Sequence, residues 1–190
     1  MEVKILPSSF NKATLEIYLD GELWKKVSRK YFSKPLRALS SNDLKIKFPE
    51  IEKKQALLCG LDLLAKKAYT KKKLHQALIN RHFSTHAINE AFLSLAKYIN
   101  DEEMARSKIR ILLSQGKGEM VIFQKLKAFV DFSKEEIYSF IEEEAPSHLQ
   151  EEKLLSLIKR KYGSITGENR SKVIRFLISR GFTFDLIKRL

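Results

Sequence analysis

Residues 70–88 read TKKKLHQALINRHFSTHAI, and the spacing of the apolar side chains in that stretch decides the fold. Leu74, Ala77 and Leu78 fall on one face of a helix, Phe83 closes the turn that follows, and Ile88 lies on the next helix. The same order returns twice. Ile122, Leu126, Phe132 and Ile137 form a second copy, and Val173, Leu177, Phe182 and Ile187 a third, with the closing aromatics 49 and 50 residues apart. A period of that length with helical spacing inside each copy marks a repeat architecture. The second copy takes six residues from Leu126 to Phe132 where the other two take five, so its turn is expected to differ.

Upstream, residues 13–27 (ATLEIYLDGELWKKV) alternate as strands do, with Leu15, Ile17 and Leu19 on one side and Asp20-Gly21 between the arms, a type I′ hairpin signal. Two strands alone are marginal, so a third is expected from 3–6 or from 44–48. Trp24 is expected to pack between the hairpin and a short helix at 28–39, with Pro35 and the polar cluster at 40–43 interrupting regular structure. From Pro49 onward helix follows helix. Leu57, Leu58, Leu61, Leu64 and Ala65 make a core-facing stripe with Cys59 beside it. Thr70, Ser84 and Asn100 stand where helix caps belong, and Ser133 with Glu136 spells a capping box. Ala105, Ile109 and Leu112 face the core of the second copy; Leu154, Leu155, Ile158 and Tyr162 face that of the third. The expected fold is mainly α: three tandem three-helix repeats at 50–100, 101–146 and 147–190 in an elongated curved array, behind a small α+β segment with a hairpin at 1–49.

Lys and Arg outnumber Asp and Glu by 36 to 23, a net charge of +13 that calls for a polyanionic partner. The excess is uneven: basic and acidic residues number 10 and 6 in 1–50, 9 and 3 in 51–100, 7 and 10 in 101–150, and 10 and 4 in 151–190, so two basic blocks flank an acidic middle. Lys71, Lys73 and Arg81 of the first copy match Arg170, Lys172 and Arg180 of the third, a regularity suited to a phosphate backbone or a charged filament groove. Lys72, Arg106, Arg110, Lys117, Lys159, Arg160, Lys161 and Arg175 complete the candidate contacts. The rival reading is a helix-turn-helix transcriptional regulator reading bases with one helix, which a threefold array does not suggest.

Other functions find no support. A lone Cys59 excludes an internal disulfide and fits a reducing compartment. No apolar run approaches the roughly 18 residues of a membrane helix, and MEVKILPSSF lacks the build of a signal peptide, so a cytoplasmic protein is expected. His82 and His86 have the spacing of a zinc pair, but a helix break separates them. Gln115-Gly116-Lys117-Gly118 lacks the Lys-Ser/Thr ending and the preceding strand of a phosphate loop; a glycine cap and tight turn are expected instead. The carboxylates at 142–144 read as a solvated face. No catalytic constellation, metal site or cofactor motif is expected, and the protein is read as a non-enzyme.

The order of these motifs resembles the RecX family, bacterial modulators of the RecA recombinase. The resemblance runs from Tyr18-Leu19-Asp20-Gly21-Glu22, through the helix ending in Arg81-His82-Phe83 and the stretch from Tyr98 to Ala105, to Gln115-Gly116-Lys117-Gly118 and Arg180-Gly181-Phe182 with Asp185 and Ile187. Met104, Glu119 and the late Phe132 depart from the family's pattern, all in the middle repeat. The resemblance implies three units that lie in the groove of a RecA filament on single- or double-stranded DNA; a monomer is expected. It would limit filament growth, ATP hydrolysis and strand exchange in recombination and DNA repair. A chain ending at Ala145 is expected to stay folded and to lose most of that activity.

Overall fold

The computed structural model of the chain describes residues 2–37 and 41–189. Three strands form one antiparallel sheet in the order β1 (Val3–Pro7), β2 (Thr14–Leu19), β3 (Glu22–Ser28). Residues 3–6 thus supply the third strand, and 44–48 are helical. Asp20 and Gly21 join β2 to β3 with φ of 49° and 87°, the two positive values that a type I′ turn requires. Between Ile17, opposite Lys25, and Tyr18, opposite Leu23, the register skips Trp24. That bulge re-aims the Trp24 indole, which meets the Phe48 ring edge-on at 5.0 Å. Its partner is therefore a residue of the second helix.

Helix α1 (Arg29–Arg37) holds Pro35, and α2 (Ser41–Leu64) holds Pro49. Pro35 does not interrupt its helix, against the expectation, and Pro49, at the expected boundary between the first two segments, lies inside α2. Pro49 cannot bond the Lys45 carbonyl, but both residues are exposed, so that face of the helix is open to water. Asp43, in the expected interruption, is likewise helical. Ser40 and the last two residues of the helix expected at 28–39 lie outside the described residues.

The buried face of α2 runs through Leu44, Phe48, Glu52, Ala56, Cys59, Gly60 and Leu63; Leu58 and Leu61 are exposed and Leu57 and Leu64 only half-buried. The expected leucine stripe is thus displaced, and Cys59 is part of the core. Small residues set its second half, at Ala56, Cys59 and Gly60. A Cβ on Gly60 would stand 2.4 Å from the Leu95 side chain, so α2 and the helix bearing Leu95 approach more closely than leucines would allow. Helices α3 (Lys71–Ile79) and α4 (Thr85–Leu95) close this set, followed by a 3-10 turn at Ala96–Tyr98. The amides of Lys73 and Ala87 donate to the capping hydroxyls of Thr70 and Ser84 at 3.2 and 3.3 Å. Leu74, Leu78, Phe83 and Ile88 share one core with the sheet residues Leu15, Ile17 and Leu19.

Residues Met1–Ile99 form one compact unit and Asn100–Leu190 a second. The second contains α5 (Asp101–Ser114), α6 (Glu119–Lys127) and α7 (Lys134–Glu144), then α8 (Ser147–Tyr162), α9 (Arg170–Arg180) and α10 (Phe184–Lys188). Asn100 caps α5, and Ser133 with Glu136 forms a reciprocal capping box on α7. Each triad has its own core: Ala105, Ile109, Leu112, Ile122, Leu126 and Ile137 in one; Leu154, Ile158, Val173, Leu177, Phe182 and Ile187 in the other. Leu155, expected in the second of these, is exposed.

The turns explain the repeat. In the first triad the Phe83 amide donates to the Leu78 carbonyl and the His82 amide to that of Ile79; in the third, the Phe182 amide donates to Leu177 and that of Gly181 to Ile178. Both are Schellman closures with a left-handed residue before the aromatic, His82 at φ 65° and Gly181 at φ 86°. The second triad lacks this closure at the matching turn after α6. There Val130 is the buried residue after the helix, and Phe132 lies half-buried against Phe140 at 5.3 Å. The extra residue changes the turn as its spacing predicts.

Candidate nucleic-acid interface

A helix N-terminus carries a partial positive charge, and cations there are unfavourable by about 0.3–1 kcal/mol each. The middle triad largely follows this rule: α5 opens with Asp101, Glu102 and Glu103, α6 with Glu119, and α7 sets Glu135 and Glu136 behind Lys134 in its first turn. The corresponding helices of the outer triads break it. Helix α3 opens with exposed Lys71, Lys72 and Lys73, and α9 with exposed Arg170 and Lys172, neither with an acidic residue in the first turn. Asn169, before α9, makes no side-chain cap, since its carboxamide is turned to the Thr166 amide and the Ser164 carbonyl. Positions that fold stability disfavours are thus occupied by cations at matched places.

Around α3 the charge extends further than the repeat alignment indicates. Lys66 and Lys67 are exposed in the preceding turn, with Lys67 Nζ 4.8 Å from the Tyr69 ring centre, and no carboxylate occurs between Asp62 and Glu90. The run Lys66-Lys67-Ala68-Tyr69 carried that signal in the sequence. Arg81 is half-buried and donates through Nη1 to the Ala77 carbonyl at 2.7 Å.

Arg106 and Arg110 have a different environment. Arg106 meets Glu143 at 2.6 Å, Glu102 at 3.0 Å and Glu144 at 3.3 Å; Arg110 meets Glu103 at 2.8 Å and Glu144 at 3.0 Å. Hydrogen bonding from Arg106 holds the Glu143 carboxyl below the usual range, and Glu143 in turn raises the Arg106 guanidinium. Two of the three carboxylates at 142–144 therefore tie α7 to α5 instead of forming only a solvated face. These two arginines have their partners within the fold.

Lys117 is half-buried in the turn after α5, where Gly116 at φ 71° supplies the expected glycine cap. Lys159, Arg160 and Lys161 occupy the last turn of α8, where the helix dipole favours them. Arg175 donates through Nε to the Ser171 carbonyl at 3.3 Å. Arg180 is half-buried beside the Phe176 ring, which Lys161 also approaches. Among the described residues none of Lys159, Arg160, Lys161, Arg170, Lys172, Arg175 or Arg180 pairs with a carboxylate. Tyr162 is expected only as a core residue and Phe176 is not named by the repeat pattern, although Lys161-Tyr162 and Arg175-Phe176 interleave charge with aromatics.

Fold and charge together define a protein of tandem three-helix units with cations on its outer triads. A family model described as "RecX, third three-helix domain" matches residues 150–190. The crystal structure of regulatory protein RecX superposes with a TM-score of 0.64 at 20% identity, covering 98% of this chain and 96% of that one. RecX from Lactobacillus salivarius gives 0.63 at 22% identity, over 73% of this chain and 93% of the other. No curated protein matched. Residues 150–190 are thus similar to the third three-helix domain of RecX, and the chain as a whole has a RecX-like fold. No helix among the described residues is long and apolar enough to cross a membrane.

Proposed function

We propose that this protein binds RecA and DNA in the groove of the RecA filament and limits filament growth, ATP hydrolysis and strand exchange. The observation that carries the DNA part is the placement of Lys71, Lys72 and Lys73 at the start of α3 and of Arg170 and Lys172 at the start of α9. A phosphate meets side-chain cations and the positive end of a helix together at both places, which is favourable for an anion. Contacts of this kind read the backbone and tolerate any sequence. The RecA part rests on the similarity of residues 150–190 to the third RecX domain and on the RecX-like fold, and the three triads offer several separate points of attachment to a repeating partner, acting together through effective concentration.

The test is DNA-dependent ATP hydrolysis by the cognate RecA with and without the pure protein. A concentration-dependent fall is expected. Hydrolysis unchanged at saturating protein, together with salt-insensitive binding to a single palindromic site, would favour the helix-turn-helix regulator instead.

A further inference from the structure

Two cations converge on one aromatic ring in the third triad. The Lys161 ammonium lies 4.0 Å from the centre of the Phe176 ring and the Arg180 guanidinium carbon 5.2 Å from it, while Tyr162 meets the same ring edge-on at 5.8 Å. Lys161 comes from the end of α8; Phe176 and Arg180 are one turn apart on α9. Both aromatics are half-buried, each leaving part of its surface to solvent.

Like charges gathered at one ring repel, and a ring quadrupole offsets this only in part. Elsewhere in the same unit the fold neutralises clustered cations with carboxylates, as Arg106 and Arg110 show. Here no described carboxylate answers, so an anion from outside would complete the cluster. Arg180 is well placed to keep its position. Its Nη1 donates to the Gln115 carbonyl at 3.4 Å, and its own carbonyl accepts from the Gly118 amide at 2.9 Å.

The geometry points to a single-stranded nucleic-acid site at Lys161, Arg180, Phe176 and Tyr162, with the two cations on backbone phosphate and the aromatic pair against unpaired bases. Stacking on exposed rings beside a basic groove is how single strands are held without sequence preference. A duplex hides its base faces and would leave the aromatic half of the site unused. The inference rests on the nucleic-acid part of the reading above and is independent of RecA.

The test measures binding of a labelled oligothymidylate to the full chain across a salt series, with a duplex of equal length beside it. Replacing both cations, Lys161→Gln with Arg180→Gln, should flatten the single-strand salt slope by about 1.4, at about 0.7 for each phosphate no longer neutralised. Phe176→Leu keeps an apolar side chain on α9 and should weaken oligothymidylate at least about fivefold while changing the duplex little. If the double variant fails to fold by circular dichroism, Lys161→Gln alone, at an exposed position, should flatten the slope by about 0.7. An unchanged slope in a folded variant overturns the site, and equal weakening on the duplex overturns the single-strand assignment. DNA-dependent ATP hydrolysis by RecA, measured with the same variants, separates the two readings. Abolished oligothymidylate binding with intact inhibition supports the site and removes it from the regulatory mechanism, whereas intact binding with abolished inhibition refutes the site and leaves the regulator.

Discussion

Gly118 and Gly181 touch backbone to backbone, so closely that a Cβ on Gly118 would lie 2.5 Å from the Gly181 carbonyl oxygen. The contact is held by two hydrogen bonds, from the Gly118 amide to the Arg180 carbonyl and from the Met120 amide to the Gly181 carbonyl, each 2.9 Å. The Gly116-Lys117-Gly118 turn and the Arg180-Gly181-Phe182 turn, 65 residues apart at Gln115 and Arg180, are thereby one structural feature. Neither is a phosphate loop.

Gly118→Ala should therefore destabilise the 100–190 unit by about 1–3 kcal/mol through steric conflict with backbone that has little freedom to move. Gly167→Ala meets nothing within 4 Å and needs no left-handed backbone, so it should change stability by less than about 1 kcal/mol. Urea midpoints of the two variants give the comparison. Gly118→Ala as the milder change would mean the turns are not docked.

His82 holds the left-handed position that Gly181 holds in the third triad, at φ 65°, with an exposed side chain. A non-glycine residue there bears about 1–2 kcal/mol of strain, against roughly 0.5–1 kcal/mol of extra chain entropy lost by glycine. His82→Gly should raise the unfolding midpoint slightly, by up to about 1 kcal/mol of stability. A fall of comparable size would show that the imidazole contributes more than its geometry indicates.

Several carboxyls are held below their ordinary values: Glu143 by Arg106, Glu136 by the Ser133 amide and hydroxyl, Asp62 by Lys30, and Glu16 by Tyr18, Lys26 and Ser8. A depressed folded value means a contribution fully present above the unfolded value, about 4.3 for Glu and 3.9 for Asp, and lost as pH falls through the folded one. Thermal stability should accordingly drop on acidification below about pH 4. Glu143→Gln should lower stability near neutrality and make the acid limb of the 100–190 unit shallower. An acid limb as steep as in the parent chain would place the titration elsewhere.

Much of this was legible because local rules govern it. Thr70, Ser84, Asn100 and Ser133 cap helices where hydroxyl or amide residues precede renewed periodicity, and Leu74, Leu78, Ile122, Leu126, Val173 and Leu177 are buried where helical spacing puts them. What failed depends on partners distant in sequence. Hydrophobic periodicity ranks Leu58 and Leu61 above Ala56, Cys59 and Gly60, but the close approach of Leu95 selects the small side chains. Arg106 looked like a free cation because Glu143 and Glu144 lie 37 and 38 residues away. Val130 displaced Phe132 from the core because one inserted residue shifts the turn, which spacing flags without saying what fills the gap.

The expectation that a chain ending at Ala145 stays folded does not survive the structure of α6. All three leading amides of that helix are satisfied from beyond residue 145: Gly118 by the Arg180 carbonyl, Glu119 by Gln150 Oε1 at 3.1 Å, and Met120 by the Gly181 carbonyl. Gln150 also donates to the Ala145 carbonyl at 2.8 Å, closing the end of α7, and the Leu157 side chain stands where a Cβ on Gly116 would be. Removing 146–190 opens both helix ends at once and bares apolar surface on the second triad, whose core of nine buried residues is small. The 100–190 fragment should fold and melt cooperatively by circular dichroism, whereas 100–145 should show little helix under the same conditions. A chain ending at Ala145 should then retain only the helical signal of its first 99 residues. A cooperative melt for 100–145 alone would mean that the second triad is self-sufficient and that the turn docked at Gly118 and Gly181 adds little to its stability.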